Sequence, residues 1–190
     1  MNVVKLGGSL YHQPRLKSWL HKLQNEAKTS SILVVAGGGP FADCVREAQQ
    51  DHQLSDTSAH QMAIIAMKQF ALLLLDMQPE ATAVHHLSTL PKTGLYIWLP
   101  DDKAMMETDL PCSWAVTSDS IALWLAQQHQ AEQLIIVKSC DLYDYDIKTL
   151  TKTGVLDRHF STLYHQYPLP CYIVQESNLN SSLSSNLRLT

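Results

Sequence analysis

The chain has 190 residues, 45% of them hydrophobic, with 14 Lys and Arg against 18 Asp and Glu and a formal net charge of −4. That length suits a single domain, 1–190, with a core of its own, and the mildly acidic balance gives no reason to expect a nucleic-acid partner, which would call for a basic patch. No unbroken apolar run, Ala71 to Leu75 included, approaches the roughly 18 residues of a membrane span.

The opening reads strand, glycine turn, helix. Asn2 to Leu6 is a short apolar run interrupted by Lys5, and Gly7-Gly8-Ser9 follows. Pro14 to Lys28 then carries Leu16, Trp19, Leu20 and Leu23 at helical spacing, with Pro14 near the first turn. The phrase repeats: Ile32 to Ala36 is a β-branched strand, Gly37-Gly38-Gly39 breaks it, and Pro40 to Gln50 reads as helix. A longer helix is expected from Ser55 or Ser58, with Ala59, Met62, Ala63, Ala66, Phe70 and Leu73 at three- and four-residue steps.

Strands are expected at Ala81 to Val84 and Leu95 to Leu99, and irregular structure from Asp101 to Ser113. Ser118 reads as the N-cap of a helix over Ser120 to Gln128, because its hydroxyl can accept a first-turn N–H. Leu134 to Val137 is a strand, Asp157 to His165 a helix and Cys171 to Val174 a further strand. The tail from Ser177 through 186 is Ser- and Asn-rich and expected to be loosely ordered, with a last strand at Leu187 to Leu189. Strands alternating with helices imply right-handed βαβ units, and hence a mostly parallel sheet covered on both faces: a three-layer α/β/α sandwich.

Ligands of such sheets sit at the carboxyl ends of the strands, where both glycine turns lie. Glycine lets the backbone approach an anion closely, and turn amides together with a helix N-terminus hold phosphate. The spacing is not that of a Walker loop, GxxxxGK[ST], nor of the Rossmann GxGxxG. Cys44, Cys112, Cys140 and Cys171 form no CxxC pair, and no HExxH is present, so no metal site is expected. The start MNVVKLGGSL lacks the apolar stretch of a secretory signal, so a cytoplasmic protein is expected.

Lys5 has two readings. Its ammonium can reach past the strand end to a phosphoryl group, since a buried cation needs an anion, or it can point to water from an edge strand. Asp119 can orient Lys5, or can be a helix-start acid favoured by the dipole.

Taken together, VVKLGGSL at Val3 to Leu10, VVAGGGPFAD at Val34 to Asp43, TSDSIALWLA at Thr117 to Ala126 and LIIVKSCDLYD at Leu134 to Asp144 resemble the amino acid kinase superfamily, which includes carbamate kinase, acetylglutamate kinase, uridylate kinase and aspartokinase. SDTSAHQMAIIAM at Ser55 to Met67 and PCSWAVTSDSIALWLA at Pro111 to Ala126 resemble, more narrowly, the small kinases of methanofuran biosynthesis. Their acceptor is 5-(aminomethyl)-3-furanmethanol phosphate, and their product is the diphosphate. The resemblance implies an ATP-dependent phosphotransferase. Lys5 would stabilise the transferring group and Asp119 would organise the lysine. Gly7, Gly8 and Ser9 would line the ATP phosphates. Lys138, Ser139, Asp141 and Tyr143 would approach the ribose and adenine, and Gly37, Gly38 and Gly39 would hold the acceptor. Mg²⁺ would ride mainly on the nucleotide phosphates. Relatives are homo-oligomers, dimers or multiples of dimers, so the same is expected here.

Two departures from the family pattern stand out. The nucleotide loop Lys138-Ser139-Cys140-Asp141-Leu142-Tyr143 has no glycine. The late-helix lysine of many members has no match: His165 falls in its place, with Lys148 or Lys152 as alternatives. The same fold also serves carboxylate kinases that form acyl phosphates and non-catalytic nucleotide or oxyanion binders, and both remain open at the level of sequence.

Overall fold

The computed structural model describes residues 1–87, 90–179 and 187–190. In chain order its elements are β1 (Asn2–Leu6), a 3-10 turn (Gly8–His12), α1 (Leu16–Glu26), β2 (Ser31–Ala36), α2 (Gly39–His52), α3 (Asp56–Met77), β3 (Thr82–Val84), β4 (Gly94–Trp98), α4 (Asp102–Met106), α5 (Ser118–Gln128), β5 (Gln133–Lys138), α6 (Ile147–Lys152), α7 (Phe160–Gln166), β6 (Cys171–Gln175) and β7 (Leu187–Arg188). The strands form one sheet in the order β3-β4-β2-β1-β5-β6-β7, parallel except for the β6–β7 pair. Helices cover both faces, as the alternation in the sequence implies.

The central strands are apolar because water reaches neither face. Along β1, Val3 belongs to one core and Val4 to the other, as period-two alternation demands. The Val3 core packs Leu33, Val35, Leu134 and Ile136 against α5, α6 and α7. The Val4 core packs Ile32, Val34, Ile135 and Val137 against Trp19, Leu20 and Leu23 of α1. Lys5 shares the parity of Val3 and so faces α5.

Helix α3 joins the two cores: Ile64 and Met67 enter one, Phe70, Ala71 and Leu74 the other. A helix that serves two cores needs apolar residues over much of its circumference. At 22 residues α3 is therefore long and apolar enough, by length and composition, to cross a membrane, which the search for unbroken apolar runs missed; 44% of its apolar window is buried inside this fold. Of its expected face, Ala59, Ala66 and Phe70 are buried, while Met62 is exposed together with Ile65 and Leu72. Ser55 caps this helix, its hydroxyl accepting the Ser58 N–H.

The structure departs from the sequence expectations at four places. Asp101 to Ser113 is not all irregular: the Asp101 carboxylate accepts the N–H groups of Lys103 and Ala104 and starts α4. Helix α6, begun by the Asp146 side chain accepting from Thr149, went unread because it is only six residues long. Helix α7 starts at Phe160 rather than Asp157. Ser118 is not the cap of α5 but its first residue; the position before it is Thr117, whose own side chain does not cap. The cap comes from elsewhere in the chain. The Asp157 carboxylate accepts the N–H groups of Thr117 and Ser120, both at 2.9 Å, and the Thr117 hydroxyl at 2.9 Å. The last strand is present as β7, antiparallel to β6. The loosely ordered tail expected through residue 186 falls, over 180–186, outside the described residues.

Candidate active site

The sheet order reverses direction at β1, whose neighbours are β2 on one side and β5 on the other. Such a switch point opens a crevice at the carboxyl ends of the strands. Leu6 is paired with Ala36 of β2 and with Val137 of β5. Gly7 and Gly37 therefore leave the sheet at the level where Lys138, the last residue of β5, still pairs with Gln175 of β6. Gly37 N–H donates to Leu6 O at 2.8 Å and Gly7 N–H to Val137 O at 3.2 Å.

The two glycine turns touch. A Cβ on Gly8 would lie 2.4 Å from Gly39 N, and one on Gly37 would lie 2.3 Å from Gly8 N. Backbone meets backbone here, so any side chain would drive the turns apart, and glycine is required for the contact itself. Gly39 also has φ +55° and opens α2, with Pro40 at its first turn. The N-terminus of α2 thus points its free amides into the crevice beside the first turn.

Beneath the turns lies a buried charge cluster. The Lys5 ammonium is 2.7 Å from Asp119 Oδ1, with both side chains 4% exposed. The Lys138 ammonium donates to Asp119 Oδ2 at 2.6 Å. One carboxylate at the start of α5 therefore holds two ammonium groups, one from each neighbouring strand. Burial alone would raise the Asp119 carboxyl, but Lys138 and Lys5 outweigh it and hold it down to about 2. Burial pushes the Lys5 ammonium below its ordinary value; Asp119 opposes the shift and Lys138 adds to it. Two lysines and one carboxylate thus stand together in a largely buried place beside free backbone amides. That combination suits a group of high negative charge such as a phosphoryl.

The residues expected to act divide as follows. Lys5 and Asp119 meet as an ion pair. Gly7, Gly8 and Ser9 stand against Gly37, Gly38 and Gly39. Ser139 joins the first turn, its hydroxyl donating to Ser9 Oγ at 2.6 Å. Lys138, expected to face the ribose and adenine, instead turns back to Asp119. Asp141 and Tyr143 lie farther along the exposed loop, where Asp141 accepts from Gln175 at 2.6 Å and from the Tyr143 hydroxyl at 3.3 Å. His165 does not take the place of a late lysine: it is exposed, its Nδ1 2.6 Å from Ser161 O.

A cavity of about 450 Å³ contains Lys5, Asp119 and Lys138 together with Lys152, one of the alternatives offered for the late lysine, and with Arg46 and Arg158, which the sequence did not single out. Lys152 arrives at the end of α6, which Gly154 at φ +75° stops. Asp157 faces the same cavity from behind its cap. Burial, then the Asp119 charge, pushes its carboxyl up against the pull of the hydrogen bonds from Ser120 and Thr117. A second cavity, of about 300 Å³, is lined by Gly8, Ser9, Gly38 and Gly39 and by Ile64, Met67 and Ile121. The two cavities share Arg46, Trp114 and Thr117, and the Arg46 guanidinium sits 4.2 Å over the Trp114 ring. Two chambers meeting at Arg46, Trp114 and Thr117, one strongly cationic and one mixed, fit a donor and an acceptor of an anionic group. Among the described residues no three His, Cys, Asp or Glu side chains group to hold a metal ion.

In sequence the chain is 31% identical to (5-(aminomethyl)furan-3-yl)methyl phosphate kinase of Methanocaldococcus jannaschii, over 92% of this chain and 87% of that protein. The chain belongs to the amino acid kinase family. No protein-family model matches it. Its fold is that of uridylate kinase from Archaeoglobus fulgidus, with a TM-score of 0.75 at 16% identity over 100% of this chain and 98% of that one. It is likewise that of isopentenyl phosphate kinase, with a TM-score of 0.61 at 15% identity over 100% and 99%. The sequence relative and these structural neighbours are kinases, and this protein is a kinase too, which removes the non-catalytic reading. The mostly parallel sheet between two helical layers is the fold this family shares.

Proposed function

We propose that this kinase transfers the γ-phosphoryl group of ATP to a small phosphorylated acceptor, with 5-(aminomethyl)-3-furanmethanol phosphate as the candidate. The P–O bond to the β-phosphate breaks, a new P–O bond forms to an acceptor phosphate oxygen, and ADP and a diphosphate leave. The observation that carries the reading is the Lys5–Asp119–Lys138 cluster beneath two contacting glycine turns. Phosphoryl transfer asks a protein for alignment and charge neutralisation more than for covalent chemistry.

In this reading Lys5 and Lys138 neutralise the group in transit, and Asp119 positions both. Gly7, Gly8 and Ser9 hold the ATP phosphates through backbone amides, with Lys152 and Arg158 adding charge from the far wall. Ser139, Asp141 and Tyr143 belong to the loop that meets the nucleoside. Gly37, Gly38 and Gly39 hold the acceptor phosphate. ATP brings its Mg²⁺, which supplies further charge neutralisation on the phosphates. The acceptor class is supported by the name of the Methanocaldococcus jannaschii relative and by a cavity of about 300 Å³, suited to a compact molecule. That acceptor would place the enzyme in methanofuran-type cofactor biosynthesis, in the cytoplasm, acting as a homo-oligomer.

An acceptor screen read by mass spectrometry tests the proposal. The expected result is a gain of one phosphoryl group on the aminomethylfuran phosphate, stable to hydroxylamine. A product that hydroxylamine traps, formed only from carboxylate acceptors, would replace this reading with that of an acyl-phosphate kinase.

A further inference from the structure

The acceptor cavity contains one group that packing does not explain. His60 lies on α3, one and two turns before Ile64 and Met67, and all three line the cavity. His60 is 5% exposed, and its Nε2 is buried with no hydrogen-bond partner among the described residues. Buried polar side chains almost always have partners. An apolar residue at this position would extend the Ile64–Met67 stripe without penalty, so the imidazole is a cost to the empty fold. Burial pushes it below its ordinary value, which leaves it neutral at pH 7, with one N–H to donate and one lone pair to accept.

The lining combines the turn residues Gly8, Gly38 and Gly39 with apolar Ile64, Met67 and Ile121, and His60 shares its helix face with Ile64 and Met67. A phosphate held at the glycine turns leaves the body of the acceptor against those apolar side chains. We propose that His60 determines acceptor specificity by hydrogen-bonding a polar atom on the body of the acceptor, so that the cavity selects a compact phosphomonoester carrying an amine, hydroxyl or ring oxygen over a purely hydrocarbon phosphate. The physical basis is asymmetric: a site built around a hydrogen bond discriminates by leaving its buried group unpaired when the wrong ligand seals it in. The inference rests on the acceptor reading above.

The test compares kcat/KM for the aminomethylfuran phosphate and for isopentenyl phosphate in the wild type, His60→Leu and His60→Gln. Wild type is expected to favour the furan. His60→Leu is expected to lose about tenfold to a hundredfold on the furan, chiefly in KM, with the KM for ATP unchanged and the isopentenyl phosphate rate held or raised. His60→Gln, which can still hydrogen-bond, is expected to recover part of the loss. Equal losses on both phosphates, or an unchanged ratio between them, overturn the inference while leaving the kinase reading intact. A wild type that phosphorylates neither compound overturns the acceptor reading and this inference together. Should His60→Leu fail to fold, the ratio in His60→Gln decides: a ratio kept near wild type, against one lost in His60→Ala, supports the hydrogen bond, and the same ratio in both variants refutes it.

Discussion

At the scale of single residues, the site turns on one carboxylate shared by two ammonium groups. Asp119→Asn would leave Lys5 and Lys138 buried without their counter-charge. The expected loss is about 3–5 kcal/mol of stability, read by denaturant unfolding, unless Lys5 sheds its proton. Because the Asp119 carboxyl is held down to about 2 against an ordinary 3.8, the contribution of the pair is fully present above about pH 4. It is lost only as pH falls toward 2. Lys5 works in the opposite direction. Its ammonium is easier to deprotonate than an ordinary lysine's at 10.5, and the charged form is the one that neutralises a phosphoryl. Turnover should therefore decline on the alkaline side with a midpoint below 10.5; a profile flat to beyond that value would contradict the role. The sequence left Lys5 between two readings, since a lysine in an apolar strand looks the same whether it meets water or an acid. The contact with α5 decides, and that contact depends on the crossover of the chain. Lys138 was legible as a residue but not as a partner of Asp119, because its direction depends on the last pleat of β5.

At the scale of elements, the strands and glycine turns were legible because each is a local signal: a short apolar run, then residues that alone allow close backbone approach. That the two turns touch was not legible, since it requires β1 and β2 to be neighbours in register. Gly37→Ala tests the contact. Its Cβ would fall 2.3 Å from Gly8 N, with backbone on both sides, so both melting temperature and turnover should fall. An alanine variant as active and as stable as the wild type would show that the turns are free to separate. The cap of α5 was misread for a related reason. Ser118 has the residue type of a cap, yet a carboxylate from forty residues away does the work. Asp157→Ala strands the N–H groups of Thr117 and Ser120 and should cost about 1–3 kcal/mol in unfolding experiments. Helices α4 and α6 escaped notice because five or six residues are too few for a hydrophobic period to show.

At the scale of the whole molecule, a mostly parallel sheet with one reversal of strand order brings the ends of β1, β2 and β5 to one level, with one chamber at the glycine turns and another at the Lys5–Asp119–Lys138 cluster. The sheet and its layers followed from the alternation of strands and helices; the chambers did not, because their walls come from α2, α3, α5 and the α6–α7 loop at once. The same scale governs association. Met62, Ile65 and Leu72 lie exposed on the outer side of α3, an apolar strip that a second copy could cover. Sedimentation is expected to give an assembly of two or more chains, weakened by Ile65→Glu with Leu72→Glu, and a monomeric wild type would refute it. The most direct test of the whole account is transfer from γ-labelled ATP to the aminomethylfuran phosphate by wild type and Lys5→Met, with ATP affinity measured alongside by calorimetry. Wild type should form the diphosphate, and Lys5→Met should bind ATP yet transfer about a hundredfold to a thousandfold more slowly. Equal transfer rates in the two proteins would contradict the claim that the buried ammonium under the glycine turns drives the reaction.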